Sequence, residues 1–596
     1  MPDRLVALRA ELTRCGLDGF IIPRADEHQG GYVAPASERL KWLRGFSGSA
    51  GMAVVLADRA ALFIDGRYTL QAGREVDTER FSCQHLVEQP PSQWIAANLP
   101  PGARLGYDPW LHTFDSVRHL AEACELAGGH LHPCEPNPLD AVWSDRPPPP
   151  LAPVTPHSDA FTGITSAQKR HEVTQALCGS SSARQIDAVV LSAPDSIAWL
   201  LNIRGRDVPY SPLPLGFAIL HADERCELFI DPRKVPAETL AHLGPSVQLE
   251  PPAAIGPALD ALGQAKHRVR YDNAGTPMWI VERLRLAGAR LNPGVDPCAL
   301  PKACKNRIEL KGARAAHRRD GLALTRFLAW LAHTAPAGGL TEIGAAARLE
   351  AFRAEGERFQ GLSFPTISGA GPNGAVVHYR ATPDTDRALA PDMLYLVDSG
   401  AQYLDGTTDV TRTVAIGKPT EEQRRRFTQV LKGHIALASI VFPAGTTGSQ
   451  LDVLARCPLW ADGVDYDHGT GHGVGSYLGV HEGPQRISKI GSTVALRPGM
   501  ILSNEPGYYK ADEYGIRIEN LVAVIEAPAP PGAERPLLTF ETLTLAPIDR
   551  ALIVSSLLSS GERKWLDAYH QRVCLSLTPE LDSDTAAWLA MATAPV

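Results

Sequence analysis

The sequence has no CxxC pair, no run of 18 apolar residues and no block of like charge, and each absence removes a class of protein. Its ten cysteines (Cys15, Cys83, Cys124, Cys134, Cys178, Cys226, Cys298, Cys304, Cys457 and Cys574) are scattered. That excludes a disulfide scaffold or a zinc ribbon and predicts reduced, mostly buried thiols. Without a long apolar run there is no membrane-spanning helix, and the N-terminus MPDRLVALRAELTRCG is a charged amphipathic start with no apolar leader core. Cytoplasmic residence is the expectation. The formal charge of −8 is dispersed, which leaves no electrostatic footprint for nucleic acid or a membrane surface. What is present is ordinary for a globular chain: 44% hydrophobic and 21% charged residues over 596 positions, enough for three or more domains.

Leu5, Val6, Leu8 and Leu12 mark one face of an N-terminal helix, and DGFIIP (18–23) reads as a buried strand. Alternating strands, turns and helices continue through WLRGFSGSAG, MAVVLA and ALFIDGRYTLQAG, which implies an α/β domain. It ends near a proline-rich connector at 133–153. A second region then repeats the first: DAVVLS, SIAWLLNIRG, FAIL and LFIDPR follow in the same order as DGFIIP, LKWLRG, AVVL and LFIDGR. Two tandem copies of one α/β domain are expected. From Lys302 to Thr334 the pattern is that of a long amphipathic helix opening a further domain. Past Pro547, RKWLDAYHQRVCLSL and SDTAAWLAMAT read as two short helices packed on an existing body. Trp199 and Trp460 read as core or rim residues.

The chemistry gathers between His378 and Asn520. VDSGAQYLDGTTDVTRT (397–413), DHGTGHGVGSYLGVHEGP (467–484), SNEPGYY (503–509) and GIRIEN (515–520) bring Asp, His, Glu, Arg and Tyr residues onto strand ends and glycine-rich turns. The grouping points to a dinuclear metal site. MLYLVD and TTDVTRTVAIG read as a hairpin. If Asp398 and Asp409 serve ions about 3.5–4 Å apart they should lie nearly opposite one another, which puts the reversal between Tyr403 and Leu404 in a loop wider than two residues. Asp405 is then a turn residue. His468 and His472 are four apart, but the glycines between them argue against a helix. Glu505 ends a strand, and alternation in GIRIEN sets Ile516 and Ile518 on one face with Arg517 and Glu519 on the other, Arg517 placed to orient a carboxylate. The set is hard and oxygen-rich, suited to Mn²⁺, with Zn²⁺ or Co²⁺ as alternatives.

DSGAQY, DGTTDVTRT, HGTGHGVG, HEGP, NEPGYY and GIRIEN resemble the active-site motifs of the pita-bread metallopeptidases, in particular their long, three-domain Xaa-Pro aminopeptidase branch. HQGGYVAP, GFSGSAG, DGRYTLQA, the second α/β copy and WLDAYH extend the likeness over nearly the whole chain. The resemblance implies two tandem creatinase-N-like α/β domains (1–150 and 155–303), a pita-bread α+β catalytic domain (304–530) and a C-terminal extension (531–596). It implies Asp398, Asp409, His472, Glu505 and Glu519 as ligands of two divalent ions, with Asp409 and Glu519 bridging. His378, His468 and His481 would line the substrate cleft, flanked by Tyr509 and Arg517. It further implies a homodimer through the catalytic domain.

The activity so implied is removal of an N-terminal residue from peptides with proline second, by a hydroxide bridging the two metals. His481 or His378 would stabilise the oxyanion, and Glu505 would carry the proton to the leaving nitrogen. The tandem α/β domains are suited to exclude long N-terminal extensions. Asp65 of DGRY either caps a hairpin turn or lies in a segment that approaches the substrate's amino end. Two other readings stand beside this one: a prolidase-like dipeptidase on the same fold, and a non-catalytic pita-bread binding protein, which the complete ligand set disfavours.

Overall fold

Short, fully buried β-branched and aliphatic runs such as GFIIP, MAVVL and AALFI cannot cover themselves and pair into sheets. The structure is a computed structural model that describes residues 3–46, 48–77, 79–177 and 186–596. It divides into two units, Met1–Ala299 and Leu300–Val596.

The first unit contains two six-stranded mixed sheets with one topology. The first runs in the order Ser82–His85, Ala60–Ile64, Met52–Leu56, Gly19–Pro23, Arg104–Tyr107, His130–Pro133. The second runs Val247–Glu250, Cys226–Phe229, Phe217–His221, Ala188–Leu191, Arg268–Tyr271, Arg290–Pro293. Parallel and antiparallel pairings fall at the same places in both. The internal repeat is therefore a duplicated domain, and one tryptophan from each copy, Trp110 in the loop before helix Phe114–Leu126 and Trp279 in helix Met278–Ala287, stack with ring centroids 4.2 Å apart.

Several local expectations are corrected in this unit. Helix Arg4–Arg14 buries Leu5, Leu8 and Leu12, but Val6 lies one position round the wheel and is exposed. Asp65 does not cap a hairpin: it caps the turn Gly66–Tyr68 at the start of a crossover, because the strand before it pairs in parallel with Ser82–His85. Among the described cysteines of the whole chain, Cys124, Cys134, Cys226 and Cys298 are buried, whereas Cys15, Cys83 and Cys457 are exposed. Cys178 lies outside the described residues. Trp199 is buried under the Lys169 ammonium, and Trp460 is a half-exposed rim residue.

The second unit opens with helix Arg307–Thr334, started by a capping box between Asn306 and Glu309. Its apolar face packs with helix Glu342–Ala354 against the three-stranded sheet Ile367–Ala370, Met393–Ser399, Val410–Ile416. A six-stranded sheet, ordered Phe442–Pro443, Leu537–Thr542, Asn520–Ala527, Ile501–Asn504, Gly471–Gly473, Glu482–Ile487, carries the other motifs. The tail is larger than two short helices, since its first helix spans 18 residues, Ser560–Leu577. Leu566, Tyr569, Val573 and Leu577 share one core with Leu431, Ile435, Ile516 and Ile518, so the tail is integral to this unit. No helix among the described residues is long and apolar enough to cross a membrane.

One buried ion pair joins the opening helix to helix Glu342–Ala354 and reaches the end of strand Met393–Ser399, which carries Asp398. Arg353 grips Asp320 with Nε and Nη2 at 2.9 and 3.0 Å, Tyr403 donates to the same carboxylate at 3.1 Å, and Nη2 reaches the Ser399 carbonyl at 3.4 Å. Both charges are shielded from water, so removing one strands the other. Arg353→Met should cost about 3–5 kcal/mol of stability, and Arg353→Met/Asp320→Leu should recover much of it. Calorimetric melting of the three proteins checks this, and a double variant no more stable than the single one would contradict it.

Candidate metal centre

Asp398 and Asp409 come from one hairpin, but not directly opposite each other. Asp398 pairs with Thr411 and Ser399 with Val410, and beyond them Gln402 pairs with Thr407 and Tyr403 with Gly406. The reversal is the two-residue turn at Leu404 and Asp405, tighter than the expected loop. Asp409 is a diagonal neighbour of Asp398 on the same sheet face, which suffices because long side chains converge across a diagonal. Gly400 permits the crossing, since a Cβ there would lie 2.0 Å from the Thr408 carbonyl oxygen. Asp405 is buried between Arg319 and Arg358, away from the ligand set, as a turn residue should be.

His472 sits on the short strand Gly471–Gly473, and no helix forms through HGTGH. Its Nδ1 donates to the Gly473 carbonyl at 2.9 Å, which turns Nε2 to within 3.5 Å of Asp409 Oδ2 and 3.6 Å of Glu505 Oε1. This is the posture of a metal-ligating histidine, with one ring nitrogen fixed by a carbonyl and the other presented to the pocket. Glu505 follows strand Ile501–Asn504, its N–H bonded to the Thr470 carbonyl at 2.8 Å and Oε1 accepting from Ser503 Oγ at 3.1 Å. The alternation in GIRIEN holds, but across a break: one strand ends at Arg517 and the next begins at Asn520. Ile516 and Ile518 enter the core, while Arg517 and Glu519 face the pocket and share Thr411, whose Oγ1 donates to Glu519 at 2.8 Å.

Ligand atoms of Asp409, His472 and Glu519 all lie within 4.8 Å of one another. Burial, then repulsion from Asp398 and Glu505, pushes the Asp409 carboxyl well above its ordinary range; burial and the Asp409 charge do the same to Glu519. Burial also raises Glu505, with His472 and Arg517 opposing it. Arg517 Nη2 holds Asp398 Oδ2 at 2.7 Å, while buried Asp398 Oδ1 has no hydrogen-bond partner. Four carboxylates against one guanidinium, with an unsatisfied oxygen and an imidazole lone pair aimed at them, fit hard divalent cations.

The flanking residues are joined less evenly. His468 donates from Nδ1 to the Gly469 carbonyl at 2.8 Å and accepts at Nε2 from the Tyr509 hydroxyl at 2.8 Å, and Arg517 Nη1 donates to that hydroxyl at 2.6 Å. Burial pushes the Tyr509 hydroxyl up to about 12. The exposed His481 ring meets His472 edge to face at 4.3 Å. His378 is half-buried in a turn after the 3-10 helix Gly371–Ala375, not on a strand, and its neighbour Val377 offers a carbonyl to Arg517 at 3.4 Å. Sequence reasoning missed Thr411 and Ser503. Thr411 was legible from the period-two alternation that sets it beside Asp409 in DVT, whereas nothing in the sequence singled out Ser503.

Residues 311–526 match metallopeptidase family M24, and residues 4–142 and 145–309 each match the creatinase/prolidase N-terminal domain. Residues 536–596 match the C-terminal region of peptidase M24. The chain is 42% identical over 610 residues to a probable Xaa-Pro aminopeptidase P of Aspergillus fumigatus, covering all of this chain and 92% of that one. It is 41% identical over 615 residues to a probable Xaa-Pro aminopeptidase P of Paracoccidioides brasiliensis, covering all of this chain and 99% of the other. The structure of the X-prolyl aminopeptidase of Caenorhabditis elegans, a cytosolic enzyme with a di-nuclear active site, superposes with a TM-score of 0.94 at 35% identity over 100% of this chain and 99% of that one. An Xaa-Pro dipeptidase from Bacillus anthracis shares the fold over 65% of this chain and 99% of its own, with a TM-score of 0.52 and 22% identity. The chain belongs to metallopeptidase family M24, within its Xaa-Pro aminopeptidase branch.

Proposed function

We propose that this chain is a metal-dependent aminopeptidase that cleaves the bond between an N-terminal residue and a penultimate proline. The observation that carries the reading is a hard, oxygen-rich pocket, in which Asp409, His472 and Glu519 converge with Glu505 beside His472, in a chain whose full length, duplicated N-terminal domain and tail included, is similar to Xaa-Pro aminopeptidases. Asp398, Asp409, His472, Glu505 and Glu519 would hold two divalent ions. The oxygen-rich donors favour Mn²⁺, and Zn²⁺ or Co²⁺ would also fit. Such ions supply Lewis acidity to the scissile carbonyl and a water acidic enough to serve near neutral pH.

The chain's own groups do the rest. Proline's tertiary amide has no N–H, so recognition at that position falls to shape and to contacts other than a backbone donor. Its nitrogen leaves only once protonated, and Glu505 would deliver that proton. His481 or His378 would donate to the oxyanion. His468, through Tyr509, and Arg517 keep Asp398 in position. We take the working divisions as 1–150, 155–303, 304–530 and 531–596, with a homodimer through the catalytic domain and a cytoplasmic setting. The family resemblance supports the divisions and the homodimer, and the scattered cysteines together with the cytosolic Caenorhabditis elegans relative support the cytoplasmic setting.

Arg-Pro-Pro should be hydrolysed in the presence of Mn²⁺ and Gly-Pro left largely intact; release of proline from the dipeptide alone would favour a prolidase-like enzyme. Asp409→Ala should lose both bound metal, measured by elemental analysis, and turnover, and wild-type rates in that variant would refute the ligand role. The raised carboxyls set a pH dependence for the metal-free protein. Because Asp409, Glu505 and Glu519 bind protons more tightly folded than unfolded, their contribution is fully present at acidic pH and is lost as pH climbs through their elevated folded values. The melting temperature of the chelated protein should therefore fall from mildly acidic to alkaline pH, and saturating Mn²⁺ should remove that slope.

A further inference from the structure

Arg412 is buried in the middle of DVTRT, and among the described residues no carboxylate pairs with it in an ion pair. A guanidinium out of water is tolerable only if its donors are met. They are met by four backbone carbonyls and two side chains. Nε donates to the Pro547 carbonyl at 2.9 Å, and Nη1 to those of Thr411 and Glu519 at 2.8 and 2.6 Å. Nη2 reaches Asn520 Oδ1 at 2.8 Å, the Ala546 carbonyl at 2.9 Å and the Tyr569 hydroxyl at 3.0 Å. The Tyr569 hydroxyl in turn donates to the Ala546 carbonyl at 2.8 Å. Asn520 continues the network through Nδ2 to His434 Nε2 at 3.1 Å, and Asn504 Nδ2 donates to the His434 carbonyl at 2.9 Å.

Asn520 follows Glu519 and Asn504 precedes Glu505 in the chain. Between Arg517 and Asn520 the strand is interrupted, so the ladder does not fix the Glu519 backbone there; Arg412 takes its carbonyl instead, and the Glu519 N–H goes to Thr411. We infer that Tyr569 of the C-terminal extension is a positioning residue for the metal centre, acting through Arg412 on the backbone of Glu519. The tail would then set metal affinity as well as complete a core. This rests on the reading of Glu519 as a ligand.

The test is calorimetric titration of the metal-free full-length protein with Mn²⁺, comparing wild type, Tyr569→Phe and Val573→Ala. Val573 is buried in the same helix and core as Tyr569 but, being apolar, makes none of the network's hydrogen bonds, so it reports loosening of the tail packing. Tyr569→Phe should weaken Mn²⁺ binding about 10-fold or more, with the KM for an Xaa-Pro-Xaa tripeptide unchanged at saturating metal. Val573→Ala should lower the melting temperature while its Mn²⁺ affinity stays at the wild-type value. Mn²⁺ affinity in Tyr569→Phe within twofold of wild type, or an equal loss in both variants, would overturn the inference. Should Tyr569→Phe lose near-ultraviolet circular dichroism, Arg412→Lys, which keeps the charge and lacks the fork, takes its place with the same expected weakening. A wild-type chain that takes up no Mn²⁺ would overturn the metal reading and the inference with it.

Discussion

Mutual repulsion of buried carboxylates is the constraint around which the second unit is built. Asp398, Asp409, Glu505 and Glu519 are drawn from three separate motifs into one pocket with little water to screen them, and burial with the neighbouring negative charges favours the protonated forms of Asp409, Glu505 and Glu519. Holding them together requires that the backbone beneath be fixed by something other than the ligands. The strand ladders do part of this, pairing Asp398 with Thr411 and Asn504 with Asn520. The ladders stop short of two candidate ligands, because Glu505 and Glu519 both lie just outside strands. At those points side chains take over: Ser503 and Thr411 donate to the carboxylates, and Arg517 neutralises Asp398.

This division explains what the sequence revealed. Periodicity and glycine placement were sufficient for the strands, for the absence of a helix in HGTGH and for the opposed faces of GIRIEN, because each is a local property of a few residues. The hairpin register was misjudged by the assumption that two residues serving one metal pair must be cross-strand partners; diagonal neighbours on a face meet the same need, and a two-residue turn then closes the loop. The ligand identities themselves came from motif resemblance, since a single Asp or His in a turn carries no local mark that separates a ligand from a cap. His378 illustrates the limit: it lies in a turn, and its tie to the pocket runs through the carbonyl of the preceding residue.

The duplication was legible for a different reason. Both copies preserve strand order and pairing sense, so the same inward-facing hydrophobic positions recur in DGFIIP and DAVVLS and in LFIDGR and LFIDPR. The later strands escaped notice because Arg104–Tyr107 and Arg268–Tyr271 are short and half-polar, and the segments after them differ in length before reaching Trp110 and Trp279. Stacking of those two rings is a tertiary fact with no signal in either segment alone.

Four arginines are among the largest side chains in the chain that are wholly withdrawn from water, and all four lie in the second unit: Arg353, Arg412, Arg456 and Arg517. Between them they support three stretches of the candidate site. Arg353 reaches the carbonyl of Ser399, next to Asp398; Arg412 takes that of Glu519; Arg456 takes that of His468 at 2.8 Å; and Arg517 grips Asp398 itself. A guanidinium offers five donors in a fixed plane and keeps its charge when buried, so one residue can satisfy several carbonyls exposed where strands break off. Lysine, with a single flexible head, could meet the charge but not the geometry. The charges of Arg353, Arg412 and Arg517 stand close to acids of the pocket, so they lower the electrostatic cost of assembling it while their hydrogen bonds fix its shape. A set of hard ligands on strand ends is thus affordable only with buried arginines behind it, and the tail helix that closes over Arg412 belongs to that support.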